Sequence, residues 1–430
     1  MNVESFLRGI LGITVLIGIL FLFSSKKKSI DWKLVLFALA MQIVFAVGII
    51  HVPLIAAIFD KISSFFVVVL EFTRQGSSFV FGNLLDVKSI GFIFAFQILP
   101  TIIFFSALTS LLFYLGILQK IVYFLSWVMG KFLRISGAEN LSTSANIFLG
   151  QTEAPLLIKP YLPKMTRSEI LCVMIGGMAN TAGGVLAAYV GFLGGDDPVQ
   201  QLFFAKHLLA ASVMSAPATI MISKMLLPET EEIDERIELS EEKIGSNMIE
   251  SIAVGTEDGL KLAFNVAAML IVFIAMIAMV NYILSDVVGY YSGLNGLISS
   301  WTGGQYQGFT LQFVLGYFCA PFVWLLGVAK SDMVYIGQLL GEKTILNEFV
   351  AYTTLGKMKA DGILQDPKSI IMATYILSGF ANFSSIGIQV GGIGALAPNK
   401  RATLSELGMT ALLGGTIASL LTATIVGMLT

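Results

Sequence analysis

The sequence has little charge, histidine or cysteine. Asp, Glu, Lys and Arg make up 13% of its 430 residues, about half the share found in soluble domains. An ordinary water-soluble fold is excluded. With two histidines and two cysteines, no His/Cys/Asp catalytic cluster is visible, which argues against an enzyme. Cys172 and Cys319 fit no metal spacing. They lie far apart in apolar sequence and read as buried small hydrophobes. The net charge of −2 carries no electrostatic footprint of a nucleic-acid partner. Apolar residues dominate instead: 56% of the chain, with a mean hydropathy of +0.84. This is the composition of an all-α polytopic membrane protein embedded in a lipid bilayer.

Runs of membrane-spanning length, about 20 residues, fall at 5–24, 34–52, 91–116, 168–194, 201–226, 259–284, 369–396 and 403–429. Eight transmembrane helices are therefore expected. Lys26, Lys27 and Lys28 follow the first run, and no small-residue cleavage site appears, so that run is not a signal peptide. The same lysines mark a cytoplasmic loop. An even number of crossings then puts both termini on the outer side, in a cell inner membrane. Pro100 reads as a kink in the third span. Three further apolar segments carry flanking charges or a proline and read as in-plane interfacial helices. They are 54–66, with Asp60 and Lys61; 118–133, bounded by Lys120, Lys131 and Arg134; and 310–328, a segment divided by Pro321 that is in-plane or partly inserted. Gly194–Gly195–Asp196–Asp197–Pro198 reads as an outside turn.

Gly150–Gln151–Thr152–Glu153–Ala154–Pro155 sets an amide, a hydroxyl and a carboxylate side by side in apolar surroundings. A carboxylate at membrane depth costs several kcal/mol by order of magnitude and is kept where it faces a cavity or a partner. Pro155 and Pro160 forbid one continuous helix. The apolar arms on either side are each too short to cross. Residues 140–161 therefore read as a re-entrant hairpin, and 331–359 as a second one, with Glu348 after Asn347. Two spans are themselves interrupted, at Ala179–Asn180–Thr181–Ala182–Gly183–Gly184 and at Phe380–Ala381–Asn382–Phe383–Ser384–Ser385. Between the halves, 228–257 forms an acidic cytoplasmic connection containing Glu229, Glu231, Glu232, Asp234, Glu235, Glu238, Glu241 and Glu242.

The halves follow one plan. After N-terminal scaffold spans (1–90), each unit (91–227 and 258–430) has a span, an in-plane helix, a glutamate hairpin, a span broken at Ala–Asn, and a final span. Three crossings per unit make the second inverted relative to the first. Inverted repeats with broken helices meeting near the midplane are a secondary-transporter signature. Helix breaks leave N–H groups free at one end and carbonyls at the other. Carbonyls and Asn oxygens suit a hard monovalent cation. The glutamates can accept from sugar hydroxyls or base N–H groups, and Phe380 can pack on a planar ring.

At these residues the sequence resembles the concentrative nucleoside transporter family, in its bacterial eight-span form. The match rests on Gly150–Gln151–Thr152–Glu153–Ala154–Pro155, on Gly341-x-Lys343-x3-Asn347–Glu348–Phe349–Val350–Ala351–Tyr352, and on Gly379–Phe380–Ala381–Asn382–Phe383–Ser384–Ser385–Ile386. The resemblance implies a sodium-coupled symporter, with no cofactor beyond Na+ as coupling ion, assembled as a homotrimer. Its substrates would be nucleosides such as uridine, adenosine and cytidine. It implies that Gln151, Thr152 and Glu153 contact the base, and that Glu348, Asn382 and Ser385 contact the ribose. Val185 and Phe380 would pack beside the ligand. Sodium would be held by Asn146, Leu149, Asn180 and Thr181, where the family pattern has serine in place of Asn180. Proton coupling through Glu153 or Glu348 is the alternative.

Overall fold

The computed structural model describes residues 3–91, 93–133, 135–195, 197–236 and 245–430. Arg134, Asp196, Glu238, Glu241 and Glu242, singled out above, lie outside these. The described residues are helical, with no strand among them. Eight of their helices are long and apolar enough to cross a membrane.

The first three are α1 (Val3–Phe23), α2 (Trp32–His51) and α3 (Pro53–Phe81). The short in-plane helix expected over 54–66 is instead the first half of α3, a continuous helix of 29 residues. The charge that suggested an interfacial position is partnered: Asp60 pairs with Lys206 at 2.7 Å. Next come α4 (Leu99–Tyr114) and α5 (Ile117–Gly130). The third span, Phe94–Tyr114, is interrupted at Ile98, between a short helix ending at Gln97 and α4. Pro100 stands just after that break, in the first turn of α4, where a missing N–H leaves no bond unmade.

Hairpin 1 rises through α6 (Gly137–Ala145) and returns through short tight turns over Ala154–Ile158 and Leu162–Lys164. The return arm stays irregular because Pro155, Pro160 and Pro163 remove donors a regular helix needs. The first broken pair is α7 (Arg167–Ala179) and α8 (Gly183–Gly194), followed by α9 (Pro198–Leu226). Helix α9 lies at the centre of the molecule, packed on α2, α3, α7, α8 and, late in the chain, the C-terminal helix.

Helix α10 (Met248–Asn281) opens the second half. It continues through wider turns to Ser292, giving a helical stretch of 45 residues. The expected span 259–284 is only its middle. The helix starts inside the acidic stretch, capped by Asn247, which accepts from the Glu250 N–H at 3.0 Å. Helix α10 packs along α4 through Gly255 and Gly259. A Cβ at Gly255 would sit 2.5 Å from Ser110 Cβ. This approach permits a reciprocal pair of hydrogen bonds: the Ser110 hydroxyl to the Ser251 carbonyl and the Ser251 hydroxyl to the Ser110 carbonyl, both 2.9 Å.

Helix α11 (Leu311–Leu325) is unbroken, and Pro321 does not divide it. It packs on α12 (Met333–Ile345), which with α13 (Glu348–Ala360) forms hairpin 2. The second broken pair is α14 (Pro367–Leu377) and α15 (Phe383–Leu396); α16 (Arg401–Leu429) ends the chain. This pair is not among the eight, whereas the first broken pair is counted there as Arg167–Gly194, and α3 makes up the number.

Both hairpins are tied down at their bases. At hairpin 1, Glu139 pairs with Lys224 of α9 at 2.5 Å, and Lys224 also donates to Ser168 at 2.9 Å. At hairpin 2, buried Asp332 accepts from the N–H groups of Gln365 and Asp366, each at 3.0 Å.

Candidate functional site

Hairpin 1 turns where α6 ends at Asn146. The Asn146 amide donates to Ser142 O at 3.0 Å, while its Oδ1 is buried with no hydrogen-bond partner. Phe148 O accepts from Gly183 N at 3.0 Å, which fastens the hairpin tip to the start of α8. Beyond it, Glu153 folds back, and its carboxylate accepts from Gly150 N at 2.8 Å. Gln151 packs on α7 at Gly177, where a Cβ would come within 2.8 Å of the Gln151 Cβ. Its amide approaches the Ser385 hydroxyl at 3.4 Å, and its Oε1 has no partner. The methyl of Thr152 packs against Gly392 of α15.

Hairpin 2 supplies the other carboxylate. Asn347 caps α13 by accepting from Val350 N at 3.0 Å. Glu348 follows as the first helical residue, where the helix dipole favours a negative charge. Its Oε2 accepts from Asn382 Nδ2 at 2.7 Å. Asn382 in turn caps α15, its Oδ1 accepting from Ser385 N at 3.0 Å and from the Ser384 hydroxyl at 2.6 Å. The Ser384 hydroxyl thus turns back on its own helix end.

These elements enclose a cavity of about 580 Å³. Gln151, Thr152, Glu153, Val185, Glu348, Phe380, Asn382 and Ser385 all line it. Its size is within the range of small-molecule sites, about 300–1,000 Å³. The wall combines apolar surface with carboxylate, amide and hydroxyl groups, enough to orient a ligand that has both a ring and hydroxyls.

The four residues associated with a cation cluster beside the first helix break. Asn146 lies against the last turn of α7, where a Cβ at Gly176 would come within 3.1 Å of its amide. Asn180 Oδ1 accepts from the Ser215 hydroxyl of α9, and Thr181 Oγ1 accepts from Gly379 N at 2.9 Å. All four are at least 96% buried. Among the described residues no group of three or more His, Cys, Asp or Glu could hold a metal. Any cation here would take neutral oxygens, and Asn146 Oδ1 is one with no other bond.

The sequence reading missed one wall. Asp258, Lys261 and Asn265 of α10 and Ser106 of α4 face the hairpins across the cavity. The signal was present: polar residues three and four apart on an otherwise apolar helix share one face, and ionisable residues in such a helix mark a site. Lys261 and Asn265 fell inside the expected span 259–284 and Asp258 at its edge, so none of them was singled out.

Three family models match in sequence: the N-terminus of Na+-dependent nucleoside transporters over 11–84, a nucleoside recognition segment over 95–196, and the C-terminus of the same transporters over 207–427. The last alone covers half the chain. The chain belongs to the Na+-dependent nucleoside transporter family. Within it, the chain is 41% identical to an uncharacterized transporter of Haemophilus influenzae, over 99% of this chain and 98% of that one. It is 37% identical to human sodium/nucleoside cotransporter 1, over 97% of this chain and 63% of that longer protein. Among solved structures of the family, CNTnw in an inward-facing substrate-bound state superimposes with a TM-score of 0.87 at 34% identity, covering 99% of this chain and 97% of that one. A variant of CNTnw in an outward-facing state gives 0.88.

Proposed function

We propose that this transporter is a sodium-coupled symporter that imports nucleosides by alternating access, with both hairpins and both broken helices moving as one elevator-type body. The observation that carries the reading is the single cavity where Gln151, Thr152 and Glu153 from one half meet Glu348, Asn382 and Ser385 from the other. The first three read the base. The second three hold the ribose hydroxyls, with the Glu348 carboxylate as the charged, stronger acceptor. Phe380 and Val185 pack on the ligand. Helix α10 and Ser106 of α4 form the opposing scaffold wall.

Sodium binds at Asn146, Leu149, Asn180 and Thr181. Asn146 lies within two turns of Gln151, so a cation there orders the tip that grips the base. Linkage makes the effect reciprocal: nucleoside tightens sodium by the same factor. A membrane potential of 100 mV acting on one charge supplies about 2.3 kcal/mol, roughly fiftyfold in concentration. The carrier works as a homotrimer in the cell inner membrane with both termini on the outer side, and the two short-armed hairpins are re-entrant.

Uridine uptake into proteoliposomes, measured with and without a sodium gradient at fixed pH, tests the reading. Sodium-dependent accumulation is the expected result. Uptake that ignores sodium but follows a proton gradient would replace it with proton coupling.

A further inference from the structure

Lys343 sits on α12, four residues before Asn347, and its side chain is fully buried. None of the ion pairs among the described residues involves it. Its Nζ donates to Ile376 O at 2.8 Å, to Ser378 O at 3.0 Å and to the Ser419 hydroxyl at 3.0 Å. An ammonium has three N–H donors, and here each has an oxygen. Ile376 and Ser378 belong to the last turn and cap of α14, immediately before the second helix break. Carbonyls at a helix C-terminus carry the negative end of its dipole. The charge is therefore held as a small hard cation is held, by neutral oxygens around a helix end.

The first break has matching parts with a different filling. There α7 ends at Ala179, and Ser215 of α9 donates to Asn180, whereas at the other break Ser419 of α16 accepts from Lys343. The first break has no lysine; it has the unpartnered Asn146 Oδ1. The two breaks touch. Gly379, next to Ser378, donates to Thr181 Oγ1, and a Cβ on Gly379 would lie 2.6 Å from the Ala179 carbonyl.

We propose that Lys343 is a tethered cation. Its ammonium permanently fills the second break's cation position, and removing it opens a latent site for a small monovalent cation formed by Ile376 O, Ser378 O and Ser419 Oγ. The parallel with an exchangeable ion at the first break rests on the sodium reading above; the oxygen cage does not.

Chemical rescue tests this. Lys343→Ala removes three methylenes and the ammonium, which n-propylammonium restores as a free molecule. Uridine uptake by the purified variant in proteoliposomes should fall at least tenfold. Propylammonium should recover it at least fivefold and raise the variant's melting temperature in detergent, with neither effect on the wild type. Equal rescue by n-propanol would show that filling space suffices and would overturn the proposal, as would a folded variant that ignores the amine or transports normally without it. If Lys343→Ala is not recovered folded, Lys343→Gln decides, since it keeps two donors and lacks the charge. Wild-type uptake and melting by that variant overturn the proposal, and a tenfold loss in folded protein supports it. The two readings fail separately: sodium-independent uptake by the wild type sinks sodium coupling, whereas the melting shift needs neither sodium nor nucleoside.

Discussion

The Glu348 carboxylate and the Asn382 amide, from different helices of the second half, are joined by a 2.7 Å hydrogen bond on the cavity wall. The bond engages one of the two carboxylate oxygens. Glu348→Gln keeps an oxygen for Asn382 but removes the charge. A hydrogen bond to a charged group contributes about 1.5–3 kcal/mol. Uridine uptake should therefore fall roughly ten- to hundredfold with little change in melting temperature. Wild-type uptake by this variant would remove Glu348 from the site.

Gln151 offers a buried Oε1 with no partner. If it reads the base, Gln151→Ala should change the ranking of uridine, cytidine and adenosine in competition uptake by about tenfold for at least one of them. A uniform loss across all three would mean that the hairpin tip does not discriminate among bases.

Asn146 Oδ1 is the corresponding orphan on the cation side. Asn146→Ala should raise the sodium concentration for half-maximal uptake by tenfold or more. By linkage, nucleoside affinity should weaken at low sodium and approach the wild-type value at saturating sodium. An unchanged sodium dependence would move the ion elsewhere.

Lys224 and Glu139 form a buried pair at the base of hairpin 1. Removing one partner strands a charge and costs about 3–5 kcal/mol. Lys224→Met should lower the melting temperature markedly, and adding Glu139→Leu should restore part of it. Additive losses in the double variant would mean that the pair is not coupled.

Gly379 has φ of 87° and faces the Ala179 carbonyl. Gly379→Ala meets both strain and collision, so it should reduce folded protein and uptake together. Normal expression would show that the two breaks can separate.

Much of this site is legible in sequence because its residue types are out of place there. Asn146, Glu153, Asn180, Glu348 and Asn382 interrupt apolar runs, and polar groups in such runs need a cavity or a partner. What misled was charge beside apolar sequence. Asp60 made the start of α3 look interfacial, although its partner Lys206 stands 146 positions further along the chain, beyond the reach of local pattern. The acidic stretch 228–257 hid the first turns of α10, which starts at Met248, in the same way. Pro321 shows the converse. A proline's effect depends on whether its missing donor was needed, which the surrounding helix decides and the residue alone does not.

The length of the helix that begins at Met248 has a mechanical consequence. At about 1.5 Å per residue, 45 residues extend about 67 Å, more than twice the roughly 30 Å hydrocarbon thickness of a bilayer. It cannot stand upright within the lipid; it must slant, protrude, or both. In the elevator movement proposed above, a body sliding against a slanted rail would shift sideways as it rises, so bilayer thickness, by setting the slant, would become a control on the stroke.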